Sequence, residues 1–435
     1  GIGADSTWRM GLSASTRGIS AAMVNGARII CIGASAVSLQ RLPQPRCPID
    51  VVKTGHGRIC ALAAGQDDCD TSLNCPSECD SPRTDAGCFR QCRGYFAEPV
   101  TLRAYPDKNQ VFSCWGTPPC AQPALETVSA APGETVNVLF SELACTSSWC
   151  PMSLPEGATN NYSAIWGRDP NHVWAVGDAG TVLFWNGAVW RRDDSGAPPV
   201  ALNGIWVSAA PAPLTQWIVG NQATVLQRDS LSGSWVDKTA EAKAQLGGMN
   251  DLYAVTGQTL PSGTHIAIGG ISALMIYQTE NAANNPWSVQ KTPTLTFNGI
   301  AADSLDILAA GTMGTAYHYT ASVWNKDVAA SGDPSITWSS VWNQSDLSIL
   351  AGAGSATGFS IRIKSAAGSW FVPPADPRIP MNTNWFGSWA ADPRDLWFVG
   401  SSGTVARFDG TAAWSPVTSP DTQSVLRAIW GSTKD

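Results

Sequence analysis

Between residues 142 and 435 short apolar runs return with a regular rhythm. One kind of run ends in glycine: "VWAVG", "WIVG", "IAIGG", "DILAAG", "SILAG" and "LWFVG". A tight turn follows, often Gly-x-x-Gly-Thr, and then a second apolar run: "TVLFW", "TVLQR", "ALMIY", "TAYHY", "FSIRI" and "TVARF". Each unit opens on an apolar pair: Ile165-Trp166, Ile205-Trp206, Leu252-Tyr253, Ile300-Ala301, Val341-Trp342, Ser388-Trp389 and Ile429-Trp430. Each full unit closes on a short segment bearing a tryptophan: Trp190, Trp235, Trp287, Trp324, Trp370 and Trp414. The pairs lie 40 to 48 residues apart, and two copies are close to literal, "DPNHVWAVGDAGTVLFWNG" at 169–187 and "DPRDLWFVGSSGTVARFDG" at 392–410.

Four short strands every 40 to 48 residues, six times over, predict an all-β fold whose C-terminal part, 142–435, is a β-propeller. The runs are apolar on both faces, as expected when each sheet is covered on both sides by its neighbours. Six blades are favoured and seven are possible, because "VLRAIWG" at 425–431 opens one more unit. Gly177 and Gly400 are expected to end the second strand of their units at positive φ. The pattern resembles propeller repeats of bacterial secreted proteins, the W-G…VWAVG-x-x-GT type abundant in myxobacteria. It lacks the Trp-Asp closure of WD40 repeats.

Ahead of the repeats the chain changes character. Residues 1–53 are mildly basic and rich in Ser, Ala and Gly, and read as an extended leader. Within it 19–38 carries a short apolar run after Arg28, a candidate targeting remnant. Twelve cysteines occur, ten of them between Cys60 and Cys150 and none in the last 285 residues. Cys47, Cys60, Cys69, Cys75, Cys79, Cys88, Cys92, Cys114, Cys120, Cys145 and Cys150 are therefore the disulfide candidates, and an oxidising compartment is expected. Residues 54–82 resemble a short cysteine motif of bacterial secreted proteins through Gly55, Gly57, Cys60, Cys69, Cys75, Pro76, Glu78 and Cys79, with Thr54 where a further Cys would stand. The acidic cluster Asp67, Asp68 and Asp70 is a candidate Ca²⁺ site that lacks the sixth-position glycine and closing bidentate glutamate of an EF-hand loop. Residues 83–141 resemble the small β-rich repeat of internalin-type surface proteins, through Cys88, Cys92, Phe96, "VTLRA", Pro106, Phe112, Trp115, Cys120 and "VNVLF". That resemblance implies a disulfide-rich β-module used as a spacer on a cell surface.

Charge and chemistry narrow the function. The formal net charge is −7 and only 14% of residues are charged, which argues against nucleic acid as a partner. No apolar stretch is long enough for a transmembrane helix. His56, His172, His265 and His318 share no ligand spacing, and no nucleophile elbow, zinc motif or phosphate loop occurs. No catalytic residue, metal site or cofactor is assigned. Of the 20 tryptophans most recur with the repeat and read as packing; Trp185, Trp217, Trp338 and Trp385 fall outside that alignment and are the candidates for an exposed ligand face. The long loops 208–215, 256–264, 279–287 and 371–384 are the expected binding loops. The expectation is a non-enzymatic extracellular or cell-surface scaffold, periplasmic or outer-membrane association included, whose propeller binds a protein partner in an assembly. A lectin-like propeller binding surface polysaccharide is the alternative, and a polysaccharide-active enzyme the second.

Overall fold

The computed structural model describes residues 9–12, 21–25, 28–32, 37–40, 47–62, 69–75, 90–106, 110–116, 127–142, 149, 152, 154–155 and 161–432, apart from loop residues 188–189, 195, 210–211, 232, 282–284, 304–305, 321, 345–346, 355–359, 366–367, 381 and 417–422. The chain divides into two compact units, 1–144 with 186–189, and the rest.

The second unit is built from antiparallel sheets that each run outward in chain order. Blade 1 consists of Tyr162–Asp169, His172–Gly177, Val182–Trp185 and Trp190–Arg192. Blade 2 follows with Leu202–Val207, Gln216–Gly220, Val225–Arg228 and Val236–Asp237. In blade 3 the middle two strands are one chain segment, Gly263–Gln278, bent at Ser272. A second long segment, Trp287–Ala302, ends blade 3 and begins blade 4. Blade 5 has three strands and a single bridge from Ile363 to Phe371; blade 6 runs from Trp385–Asp392 to Trp414–Pro416. We refer to the strands of a blade, inside to outside, as a to d.

The a strands surround a central channel, and each carries the same defect. In all six the pairing skips one residue near the start of the strand, as between Tyr162 and Ala164 or Leu202 and Gly204. That residue is bulged out of register, which bends and twists the strand. The register also corrects one alignment. Leu252 faces Gly270 and Ala254 faces Gly269, as Leu202 faces Gly220 and Gly204 faces Val219. The counterpart of Ile165-Trp166 in blade 3 is therefore Val255-Thr256, not Leu252-Tyr253.

Two repeated bonds join successive blades. The b–c turn donates from Gly180, Ala223, Gly314 and Gly403 to the carbonyls of Val200, Asn250, Ile336 and Ser424, each just ahead of the next a strand. On the outer side, the strand-d tryptophan reaches back one blade: Trp235 to the Asp193 carbonyl, Trp287 to Glu241, Trp370 to Asp327 and Trp414 to the Pro374 carbonyl. The cores between blades are aliphatic and aromatic, for example Trp174, Val176, Phe184, Leu202, Ile218 and Trp235.

Gly177 and Gly400 have φ of −166° and −159°, which is ordinary extended backbone rather than the positive φ expected. Glycine is needed there for room: a Cβ would run into the carbonyl oxygen of Asn161 or of Asn384. Positive φ falls two and three residues later, at Ala179 and Gly180, and at Ser402 and Gly403.

The first unit contains two four-stranded sheets. Gln110–Trp115, Thr135–Glu142, Cys47–Thr54 and Arg90–Phe96 form one; Thr127–Ala130, Val100–Pro106, Gly57–Leu62 and Cys69–Cys75 form the other. Ile49, Val51, Ile59, Leu102, Val138 and Phe140 share one core. The segments 1–53, 54–82 and 83–141 are thus not separate from residue 47 on, because strand Cys47–Thr54 pairs with both Arg90–Phe96 and Thr135–Glu142. Arg9–Leu12, Ala21–Asn25, Arg28–Ile32 and Val37–Gln40 form a further antiparallel meander. Cys60, Cys92 and Cys114 are each disulfide-bonded. The side chains of the other candidate cysteines, and of Asp67, Asp68 and Asp70, lie outside the described residues.

Candidate functional site

The bulge in each a strand decides what the channel shows. The bulged positions are Ser163, Asn203, Tyr253, Asn298, Ser339 and Phe386, and all of them line the channel. Two of the amides tie adjacent blades: Asn203 donates to the Leu252 carbonyl at 2.8 Å, and Asn298 to the equivalent Trp338 carbonyl at 3.2 Å. The next position is small in every blade: Ala164, Gly204, Ala254, Gly299, Ser340 and Gly387. The a strands converge here, and a Cβ on Gly299 would lie 2.9 Å from the Val341 nitrogen of blade 5. Ser340 and Ser388 share a 2.8 Å hydroxyl bond between blades 5 and 6.

A seventh segment completes the lining. Leu426 donates to the Gly400 carbonyl, and Arg427, Ala428 and Ile429 then occupy the bulge, small and apolar levels. Trp430 lies over Gly167 of blade 1, where a Cβ would strike its ring. Toward the other end of the a strands the channel narrows between tryptophans: Trp342 stands 6.4 Å from Trp166 and 6.3 Å from Trp389, ring centre to ring centre. The space enclosed is about 140 Å³.

The bulged end of the a strands is the end at which the b–c turns lie. There four of the turns present one residue at the tip: Ala179, Gln222, Met313 and Ser402 have φ of 54°, 59°, 57° and 53° and are exposed. Left-handed backbone costs a non-glycine residue about 1–2 kcal/mol. Met249, Met313 and Val425, on the same end, are 65%, 53% and 43% exposed.

The sequence-selected aromatics are elsewhere. Trp217 and Trp338 are fully buried and Trp385 is 2% exposed, so none of the three is a ligand-face aromatic. Trp338 and Trp385 hold the a-strand position just before the bulge, in the column of Leu202, Leu252 and Phe297; Trp217 is the counterpart of Trp174. They belong to the repeat after all, and its packing buries them. Trp185 is half-buried, packs on Trp190 and donates to the Pro170 carbonyl at 3.1 Å. Of the expected loops, 208–215 and 256–264 join strands a and b, and 279–287 joins c and d; these three lie at the end opposite 371–384, which leads from blade 5 into Trp385.

The described histidines in the propeller each meet an acid: His172 Asp169, His265 Glu280, and His318 both Asp306 and Asp327. Burial opposes the charge on His318, but the two carboxylates outweigh it and raise its pKa to about 9. Its Asp306 also accepts from Asn343 at 2.6 Å, and Asp327 from Trp370 at 3.1 Å, so the charged group joins blades 4 and 5. Among the described residues no three His, Cys, Asp or Glu side chains gather as metal ligands, and no helix is long and apolar enough to cross a membrane.

The sequence reading missed the bulge column, and with it Arg427. The signal was present: the apolar pairs already stack Arg427, two residues before Ile429, with Asn203 and Asn298, two residues before Ile205 and Ile300.

No family model matches the chain, and no curated protein matches it. Solved structures are similar to it in fold. YCF48 from Cyanidioschyzon merolae is 17% identical with a TM-score of 0.43, over 62% of this chain and 88% of that one. YCF48 bound to D1 peptide is 15% identical with a TM-score of 0.44, over 62% and 85%. The WD40 repeats of RRP9 are 9% identical with a TM-score of 0.48, over 63% and 84%.

Proposed function

We propose that this protein is a non-enzymatic interaction scaffold that works outside the cell. Its propeller has six blades with an innermost segment, 424–431, at a seventh position, and it binds a protein partner on the b–c turn end. One observation carries the reading. Four turn tips keep Ala179, Gln222, Met313 and Ser402 where glycine would be more stable. Four different side chains held at one strained position around one opening suit a surface shaped by contact rather than by folding. Met249, Met313 and Val425 add exposed apolar area there. The disulfides at Cys60, Cys92 and Cys114 support an oxidising compartment.

The channel also weighs against a small-molecule site. Its volume of about 140 Å³ is below the roughly 300–1,000 Å³ of small-molecule pockets. The test is cross-linking of the protein within its source, comparing Met313→Glu with Val323→Glu, a control on the opposite end that is 54% exposed. The expected result is a cross-linked protein partner lost with Met313→Glu and retained with Val323→Glu. Equal loss, or no partner, overturns the reading.

A further inference from the structure

The geometry points to the channel mouth as the receptor for a single carboxylate of that protein partner, with Arg427 as its cation. The inference rests on the interaction-scaffold reading and deepens it. Three observations support it.

The first is charge. Arg427 is the one charged side chain among the residues that line the channel, and among the described residues it forms no ion pair. Elsewhere in the propeller Arg192, Arg228, Arg378 and Arg407 pair with acids, whereas Arg168 and Arg362 donate to backbone carbonyls. Arg427 instead lies over the Phe386 ring, 5.9 Å from its centre, which holds the guanidinium at the bulge level. Five donors on a fixed planar fork match a carboxylate in two parallel bonds.

The second is the lack of a competitor: no carboxylate stands among the lining residues to occupy the Arg427 guanidinium.

The third is size. About 140 Å³ suits one acidic side chain or one chain terminus and is too little for a folded element. The partner therefore rests on the turn tips and sends one carboxylate inward. A tip-borne contact surface with one anchored charge separates two tasks: the tips supply area, and Arg427 fixes register.

The carboxylate can come from an Asp or Glu side chain or from a C-terminus. Random heptapeptides displayed on phage, in one library with a free C-terminus and in one internally, distinguish the sources when selected on the full chain. The expected result is at least tenfold enrichment of acidic peptides in the internal library, or of peptides in the free-terminus library alone. Either enrichment should vanish with Arg427→Gln and persist in part with Arg427→Lys. It should also vanish with Ser339→Asp, which sets a competing carboxylate among the lining residues. Arg427 is exposed, so its replacement leaves the blades packed. Enrichment of peptides without acids in the internal library, or any enrichment unchanged by Arg427→Gln, overturns this inference and leaves the scaffold reading standing. No enrichment in either library overturns both.

Discussion

Blades 1 and 6 carry nearly the same string, yet they solve one position in opposite ways. His172 begins strand b in blade 1 and Asp395 begins it in blade 6. His172 binds Asp169 and stacks on Phe184 of strand c, 5.9 Å between ring centres. Asp395 binds Arg407, which stands where blade 1 has Phe184. Blade 4 has the weaker string match but the blade 6 solution: Asp306, just ahead of strand b, holds the Asp395 position and His318 replaces Arg407 on strand c. What the repeat preserves is backbone: the glycine at the end of strand b, the turn tip and the bond to the next blade. What it leaves free is how strand c answers strand b.

The sharpest way to break that comparison is to remove the answer. Asp395 is 1% exposed and one of its oxygens is already without a partner. Arg407→Ala strands a buried carboxylate, a change that costs roughly 3–5 kcal/mol in buried pairs. Arg407 is itself 40% exposed, so a loss of about 3 kcal/mol is expected in urea unfolding of the propeller. His172→Ala removes only a half-buried pair and a stacked ring, with an expected loss of about 1 kcal/mol. Equal losses would mean that strand c does not matter to the difference between the two blades.

Blade 4 sharpens the same point through pH. The pKa of His318 is raised from 6.5 to about 9, and those of Asp306 and Asp327 are lowered. A raised histidine pKa stabilises the fold fully below the unfolded value of 6.5 and loses that contribution as pH climbs through 9. The melting temperature of the propeller is therefore expected to drop by about 2 °C between pH 7 and pH 10. His318→Arg copies blade 6 and should flatten that decline, since arginine does not titrate in the range. An unchanged decline would assign it to other groups.

The outer architecture was legible from sequence because it rests on residues with strong local preferences. Gly-x-x-Gly-Thr marks the b–c turn, and the strand-d tryptophans mark the outer edge. The channel was not legible, because a bulge needs no particular residue: Ser163, Asn203, Tyr253 and Phe386 share no chemistry, only a pairing slip. Trp217, Trp338 and Trp385 were misread because a side chain's size does not reveal its burial; only the register placed them in packed columns. Ile49 and Val51 were hidden in a mildly basic leader, since pairing with strands more than forty residues away leaves no local trace.

The smallest expected effect probes what blades 1 and 6 hold in common. Ala179 and Ser402 occupy their turn tips at φ of 54° and 53°, and both are exposed. Neither tip side chain is required by the turn, because the bond to the next blade comes from Gly180 and Gly403. Glycine relieves the left-handed strain but gains freedom in the unfolded chain, so the two effects partly offset. Ala179→Gly and Ser402→Gly are each expected to stabilise by about 0.5 kcal/mol, measured as urea midpoint at constant slope. The same pair separates folding from contact. A partner that grips the turn tips binds the doubly substituted protein more weakly although it is the more stable molecule; a partner that ignores the tips binds it unchanged. Stability and affinity moving in opposite directions would show that the strain is kept for the surface and not for the fold.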